Sequence, residues 1–207
     1  MIKQGSEQWL ENRRGKLNAS ETHIFMHKSD KITQGAMTQI YKILAERMGS
    51  QQPSTSSKAM SWGVDNENEA REAYIDKTGY CVEEVGSISH EKYPFICGSP
   101  DGVVIDEGGG IEIKCPYAPE NHIKYADDLD FIKSKHYTQI MQNMWINDSQ
   151  WWDFISYDPR NKEMPIFIHR FHRDEKYIAL LEERLLRAEG LIQEMYDNIL
   201  HPNVEEF

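Results

Sequence analysis

The 207-residue chain has little cysteine, and its three cysteines form no recognisable ligand set. Cys81, Cys97 and Cys115 lie 16 and 18 positions apart, which matches no zinc or iron–sulfur spacing. An odd number of cysteines also argues against a disulfide framework. We therefore expect the protein to work in a reducing compartment, the cytoplasm.

The chain also lacks long apolar runs and is short of positive charge. No apolar run approaches the length of a membrane span, and the first residues, Met1 to Gly5, lack the apolar core of a signal peptide. We therefore expect no membrane partner. Lys and Arg number 23 against 34 Asp and Glu, giving a net charge of −11. This balance disfavours casual adhesion to nucleic acid, unless the basic residues line a single groove or channel.

The length of 207 residues predicts one domain, residues 1–207, and periodicity along the chain predicts both helices and strands. Caps and helical spacing predict helices near 9–14, 18–27, 37–49, 66–78, 131–146 and 173–200. The second of these rests on a capping box formed by Asn18 and Glu21. Alternating or β-branched segments predict strands near 80–89, 103–115, 150–157 and 166–171. We predict a turn at 28–33, a loop at 50–57 and a connection at 116–130. The order indicates a mixed α/β (α+β) fold, with a central mixed β-sheet flanked by helices.

The most informative stretch is a predicted hairpin with polar residues on one face. Ser99-Pro100-Asp101-Gly102 precedes an apolar strand, and the glycines at 108–110 supply a permissive turn. The segment from Ile111 to Cys115 then alternates apolar and polar residues. Because strand side chains alternate, Glu112 and Lys114 share one face. We expect Asp101, at the start of the partner strand, to lie close to Glu112.

The two carboxylates admit two interpretations. Carboxylates at one point repel each other unless a cation joins them, and hard oxygen ligands suit Mg²⁺ or Mn²⁺. A lysine beside such a metal can orient a water and stabilise charge on a phosphate oxygen, as phosphodiester hydrolysis requires. Short Asp…Glu-x-Lys patterns also arise by chance, and Glu and Lys on one strand face often form only a solvated face. The residues alone leave both readings open.

Seven segments, in order along nearly the whole chain, resemble the viral recombinase exonucleases typified by the phage lambda exonuclease. That family lies within the PD-(D/E)xK nuclease superfamily, so the resemblance implies a restriction-endonuclease-like nuclease core. The segments are Trp9…Arg13…Ala19-Ser20-Glu21, Trp62-Gly63…Glu67-Asn68, Ser99-Pro100-Asp101-Gly102, Glu112-Ile113-Lys114-Cys115-Pro116, Gln139…Met144-Trp145, Tyr157-Asp158-Pro159-Arg160 and Arg173-Asp174-Glu175-Lys176-Tyr177.

The resemblance assigns catalytic roles to residues of the hairpin. Asp101 and Glu112 match the two metal-binding carboxylates, and the backbone carbonyl of Ile113 would add a ligand to Mg²⁺, with Mn²⁺ as a substitute. Lys114 matches the catalytic lysine that orients the attacking water or helps to deprotonate it. Glu67 matches an acidic residue that touches the metal shell through water. Without the resemblance, Glu67 is a helix-surface glutamate.

The resemblance also implies a pocket for the 5′-phosphate of the recessed strand, formed by Arg13, Ser20 and Ser99. A guanidinium binds a terminal phosphate with two parallel hydrogen bonds, so arginine suits this role. Gln139 matches a glutamine that hydrogen-bonds near the attacking water or the phosphate. Taken alone, Ser20 is a capping residue and Gln139 is polar helix surface.

Met37 and Met60 match apolar side chains that, in the family's founding member, wedge the two DNA strands apart. Methionine suits an adaptable apolar wedge, but it suits a hydrophobic core equally well. Both interpretations stay open for these two residues.

The resemblance implies an Mg²⁺-dependent exonuclease that enters linear double-stranded DNA ends and degrades the 5′-ended strand in the 5′→3′ direction. It would release mononucleotides and leave 3′ overhangs for strand annealing. It would act as a homotrimeric ring in the host bacterial cytoplasm, with a phage single-strand annealing protein as partner. The alternatives are an endonuclease or junction resolvase on the same core, and a non-catalytic DNA-end-binding module. An iron–sulfur nuclease of the superfamily would need cysteines that this chain lacks.

Overall fold

Helices pack against two β-sheets in the computed structural model, which describes residues 4–27, 31–53, 57–105 and 107–202. The helices are α1 (Glu7–Arg13), α2 (Gln34–Arg47), α3 (Lys58–Thr78), α4 (Pro119–Asp127), α5 (Leu129–Ile146) and α6 (Glu175–Leu200), with a 3-10 helix at Thr22–Phe25. The strands are β1 (Leu17–Asn18), β2 (Val82–Glu83), β3 (Ile88–Ser89), β4 (Ile96–Gly98), β5 (Gly102–Val104), β6 (Gly109–Lys114), β7 (Trp151–Tyr157) and β8 (Ile166–His172).

The larger sheet is mixed, in the order β2-β5-β6-β7-β8, and it confirms the predicted fold class. β6 and β7 are parallel, and the other neighbours are antiparallel. A parallel pair needs a crossover connection, which α4 and α5 provide between β6 and β7. The predicted hairpin is present, with Gly102 opposite Ile111. This sheet therefore holds Glu112 and Lys114 on a central strand.

Two of the three hairpin glycines belong to the sheet and not to the turn that we expected. Gly108 has φ +65° and lies in the turn, whereas Gly109 and Gly110 begin β6. An added Cβ at either strand glycine would lie 2.2–2.3 Å from the ring of Trp151 or Trp152 on β7. These two glycines therefore make room for tryptophan packing across the sheet.

The predicted Asn18–Glu21 capping box is wrong. Asn18 lies in β1, which pairs in parallel with β4 in the smaller sheet of order β1-β4-β3. Its side-chain amide donates to the main-chain oxygens of Arg13 at 3.1 Å and Lys16 at 3.0 Å. The 3-10 helix that follows has Glu21 at its N-cap, with no capping hydrogen bond from that side chain. Pairing with a distant strand therefore overrides the local capping signal.

Two other helices differ from the sequence-based expectation. α3 begins at Lys58, earlier than predicted, because Ser57 caps it by accepting from the Met60 N–H at 3.2 Å. α4 occupies part of the predicted connection and starts with Pro119, a residue favoured at the first helical position. The predicted turn at 28–33 and loop at 50–57 fall partly on residues 28–30 and 54–56, which lie outside the described residues.

The core consists of three apolar clusters that hold the helices in place. One joins α3 to the larger sheet, a second joins α5 and α6 to that sheet, and a third joins α2 and α6 to β1 and β4. The hairpin with its polar residues is thus held between α3 and α5. In the part of the chain that the structure describes, no helix has the length and apolar character of a membrane span.

Candidate active site

The hairpin brings Asp101 and Glu112 together in the interior. Asp101 lies just before β5, and its Oδ2 accepts a hydrogen bond of 2.6 Å from the backbone N–H of Ile113. Asp101 is buried, and Glu112 is completely so. Each carboxylate therefore influences the charge of the other in a medium that screens poorly.

Lys114 supplies a positive charge beside these two carboxylates. Its Nζ forms an ion pair with Oε1 of Glu112, and its side chain is still 29% exposed. Burial disfavours the charged form of Lys114, but the carboxylates of Glu112 and Asp101 outweigh burial and raise its pKa above the ordinary value. Lys114 is thus a protonated donor at the edge of a buried acidic site.

Burial raises the pKa values of the acidic residues at this site. For Glu112 the pKa is about 7, because burial and the charge of Asp101 outweigh the stabilising lysine. The pKa of Asp101 is also raised by burial, against the opposing effects of Lys114 and the Ile113 N–H. Strongly raised pKa values are typical of functional sites. Without a cation, the site therefore resists full ionisation of its carboxyl groups.

Glu67 on α3 belongs to the same electrostatic cluster. Burial and the charge of Asp101 raise its pKa to about 7, while Arg71 and Lys114 lower it. Its Oε1 accepts a hydrogen bond from Arg71 Nη2 at 3.0 Å. Because Arg71 also bonds the Asp101 main-chain oxygen, Glu67 lies near the hairpin, and its role towards a metal stays a prediction.

A divalent cation fits the chemistry of this donor set. Within residues 4–27, 31–53, 57–105 and 107–202, no three His, Cys, Asp or Glu side chains converge as a ligand cluster. Mg²⁺ does not need such a cluster, since it is usually held by one or two carboxylates and keeps several waters. Asp101 and Glu112 supply two buried carboxylates whose repulsion a dication would relieve.

The three residues expected to bind a 5′-phosphate also meet in the structure. Arg13 Nη1 donates to Ser99 Oγ at 3.0 Å, and Nη2 donates to Ser20 Oγ at 3.2 Å. The guanidinium lies 4.3 Å from the ring of Trp9, and burial lowers the pKa of Arg13. Ser99 is two residues before Asp101, so the pocket adjoins the carboxylates.

A polar cavity of about 320 Å³ opens beside Arg13. Its lining includes further cations, Arg14 and Lys42, together with the acids Glu21 and Glu46. Lys42 forms an ion pair with Glu21. Space for a ligand therefore lies next to the guanidinium, while the further cations of the lining are matched by its acids.

The remaining predicted residues lie in different environments. Gln139 is half-buried on α5. Met60 is 55% exposed in the first turn of α3, whereas Met37 is half-buried and packs against the core cluster of α2, α6 and β1. The exposure of Met60 suits a wedge, and the packing of Met37 suits a core residue. The wedge role of both stays a prediction.

Two buried amides of α5, one of which contacts this site, were missed from the sequence. Asn143 Nδ2 donates to Glu112 Oε2 at 3.4 Å, and Asn143 Oδ1 is buried without a partner among the described residues. Gln142 donates to the main-chain oxygens of Leu17 and Cys97, both at 3.0 Å, and thereby joins β1 to β4. In the sequence, their only distinguishing feature is that they lie three and four residues after Gln139. This spacing indicates that they share a helix face with Gln139, but it does not indicate a function.

The chain is similar to a known domain family and to a curated protein. Residues 8–150 match the model of the YqaJ-like viral recombinase domain. The uncharacterised ExoD protein of Escherichia coli (strain K12) is 36% identical over 55 residues, which are 27% of this chain and 63% of ExoD. The chain thus spans less than two thirds of the length of that curated relative.

Solved structures extend the similarity to nearly the whole chain. An alkaline exonuclease (LHK-Exo) from Laribacter hongkongensis gives a TM-score of 0.82 at 31% identity, covering 94% of this chain and 96% of that chain. The structure of LHK-Exo in complex with dAMP gives a TM-score of 0.83 at 32% identity, again covering 94% of this chain and 96% of that chain. A phage-related exonuclease from Haemophilus somnus 129PT shares the fold, with a TM-score of 0.74 at 19% identity over 89% of this chain and 96% of that chain. Since the family model covers well over half of the chain, the protein belongs to the YqaJ-like viral recombinase family.

Proposed function

We propose that this protein is an Mg²⁺-dependent exonuclease that degrades the 5′-ended strand of linear double-stranded DNA in the 5′→3′ direction. The observation that carries the proposal is the position of Arg13 and Ser99 beside Asp101, Glu112 and Lys114. A pocket for a terminal phosphate next to a site for hydrolysis favours attack near a DNA end. Similarity to the alkaline exonuclease LHK-Exo, and its complex with dAMP, supports the same class of activity and product.

Each residue of the hairpin has a distinct part in this proposal. Asp101 and Glu112, with the Ile113 carbonyl, would hold Mg²⁺ or Mn²⁺, which when bound supplies Lewis-acid polarisation of the scissile phosphate. Lys114 donates from Nζ and so orients the attacking water and stabilises negative charge on the phosphate. Glu67 and Gln139 hydrogen-bond to water near the phosphate and restrict its orientation.

The Arg13 pocket would give the reaction its direction. A terminal phosphate carries more negative charge than an internal diester, and a half-buried guanidinium with two serine hydroxyls binds it by charge-assisted hydrogen bonds. Binding at this pocket places the next phosphodiester over the carboxylates. Release of a mononucleotide then presents a new 5′-phosphate, and a 3′ single-stranded overhang grows.

We further propose a homotrimeric ring as the working form, in the host bacterial cytoplasm, with a phage single-strand annealing protein receiving the 3′ overhang. A ring reconciles a net charge of −11 per chain with DNA binding, because basic residues can line the channel while acids face outwards. Sedimentation with and without duplex DNA tests this. A monomer that degrades long duplexes without dissociating would contradict it.

The proposed activity is tested by comparing linear duplex, nicked circular and closed circular DNA of one sequence, with Mg²⁺ or with EDTA. We expect mononucleotides from linear DNA, none from closed circles, and no product in EDTA. Internal cuts in closed circles would indicate an endonuclease or resolvase. Tight binding of ends without cleavage would indicate a DNA-end-binding module.

A further inference from the structure

Arg71 is a buried arginine of α3, one turn beyond Glu67, and its side chain is 9% exposed. Its Nε donates to the main-chain oxygen of Asp101 at 3.1 Å, and its Nη2 donates to Glu67 Oε1 at 3.0 Å. Its Nη1 donates to Asn68 Oδ1 at 3.3 Å. A single planar group therefore joins α3 to the turn that carries Asp101.

Stabilisation of the fold alone is a poor explanation for these contacts. Removing a guanidinium from water costs several kcal/mol in general, and a buried ion pair often returns no more than that cost. A further ion pair to Glu84 at 3.2 Å is at the surface, because the Glu84 side chain is 64% exposed. The inward contacts go instead to the proposed cation site, namely to the main-chain oxygen of Asp101, a proposed ligand, and to the carboxylate of Glu67.

The geometry of the guanidinium explains why this residue is an arginine. Its fork points Nε and Nη2 towards different acceptors in one plane, whereas a lysine ammonium is a single point on a flexible chain. Only the planar fork holds the Asp101 main chain and the Glu67 carboxylate together at a fixed separation. The arrangement therefore sets the relative position of α3 and the hairpin at the site.

We propose that Arg71 is a positioning residue of the divalent-cation site, acting on the Glu67 side chain and the Asp101 main chain. The inference rests on the proposed function, and it adds a residue that touches neither the cation nor the DNA. Residues that orient the ligands of a metal typically change metal affinity or activity 10- to 100-fold when they are altered. We expect a change of that size for Arg71→Lys.

The experiment measures Mn²⁺ binding to the DNA-free protein by calorimetry, for the original chain, Arg71→Lys and Arg71→Met. Arg47 is a matched control, since its Nε donates to the Gly15 main-chain oxygen at 2.8 Å and its two Nη atoms bond Glu189 at 2.8 and 2.7 Å. We expect Mn²⁺ affinity to fall about 10- to 100-fold in both Arg71 variants. Arg47→Lys should change only the melting temperature.

A double-variant cycle with Glu67→Gln separates positioning from general damage. Because Arg71 acts partly through Glu67, the combined variant should lose less Mn²⁺ affinity than the product of the two single losses. A folded Arg71→Lys protein with unchanged Mn²⁺ affinity would overturn the inference, as would failure of Arg71→Lys to fold. If the original chain itself binds no Mn²⁺, the proposed function fails instead, so the two failures are distinguishable.

Discussion

The Arg13 guanidinium donates a hydrogen bond of 3.0 Å to the Ser99 hydroxyl, although 86 positions separate the two residues. Ser99 follows β4 and lies two residues before Asp101. The contact therefore connects the end of α1 to the strand segment that carries a proposed metal ligand. The proposed phosphate pocket and the proposed site of hydrolysis are joined through a very short stretch of chain.

Arg13→Ala should reduce binding of DNA ends that carry a 5′-phosphate by about 10- to 100-fold. A hydrogen bond to a charged group contributes about 1.5–3 kcal/mol, and the substitution removes the guanidinium that would donate such bonds to the phosphate. Affinity measured by fluorescence anisotropy, with Lys114→Ala in the background to block cleavage, checks this. A duplex with a 5′-hydroxyl is the control and should bind both proteins alike. If Arg13→Ala lowered the affinity equally for the 5′-phosphate and 5′-hydroxyl duplexes, Arg13 would have no specific role towards the phosphate.

Lys114→Ala should lower the cleavage rate by about 10²- to 10⁴-fold, the usual effect of removing a group that assists proton transfer. The change also leaves the fully buried Glu112 without its ion-pair partner. Single-turnover cleavage with saturating enzyme measures the rate without the binding step. Lys135→Ala, an exposed lysine of α5, is the control and should keep the original rate. Near-normal cleavage by Lys114→Ala would remove the residue from the catalytic scheme.

Stability without divalent cations should fall as the pH rises from about 4.5 to about 7. Glu67 and Glu112 have pKa values of about 7 in the folded protein, above the ordinary 4.5, so the folded state holds these protons more tightly than the unfolded chain. If Mg²⁺ binds the ionised carboxylates, as we propose, it should raise the melting temperature more at pH 8 than at pH 6. Thermal unfolding at both pH values tests this, with Glu112→Gln as the control. A pH-independent effect of Mg²⁺ would contradict it.

Gly98→Ala should destabilise the fold and disturb Glu112. An added Cβ would lie 2.2 Å from Asn143 Oδ1, the amide whose Nδ2 donates to Glu112. Overpacking of this kind costs about 1–3 kcal/mol. The free energy of unfolding from urea titration measures it. Gly190→Ala on α6, where an added Cβ meets nothing within 4 Å, should instead stabilise by about 0.5–1 kcal/mol.

Met60→Ala and Met37→Ala should have different effects. Met60 is 55% exposed, so its loss should leave the melting temperature nearly unchanged but slow the start of digestion at fully paired ends. Met37 packs against the core, so its truncation should lower the melting temperature by several degrees. Initial rates on blunt ends and on ends with unpaired strands separate the two effects. Equal rates for Met60→Ala and the original chain on blunt ends would remove the wedge role from Met60.

Much of the hairpin could be predicted because its signals are local. Alternation in the segment around Glu112 and Lys114 fixes which face they share, and the register of β5 on β6 brings Asp101 near. The site beyond the hairpin depends on tertiary packing. Arg71 could have been suspected from its spacing of four from Glu67, but nothing local indicates its bond to the Asp101 main chain.

The error at Asn18 has the same origin. Asn18 followed by Glu21 satisfies a local capping rule, yet Asn18 pairs with Cys97 of β4, 79 positions away. The local preference for a helix cap is overridden here by a strand pairing that sequence periodicity cannot reveal. The start of α4, in contrast, could have been predicted from the local sequence, because Pro119 suits the first helical turn.

The most direct test of the account follows release of the terminal nucleotide from one linear duplex, labelled at either the 5′ or the 3′ end of the same strand. With Mg²⁺ and a 5′-phosphate, we expect rapid release of the 5′-labelled mononucleotide and gradual shortening of the 3′-labelled strand from its 5′ end. EDTA should abolish both, and Lys114→Ala should slow both by about 10²- to 10⁴-fold. Early release of the 3′-terminal nucleotide, or release by Lys114→Ala at the original rate, would contradict the proposed site and direction.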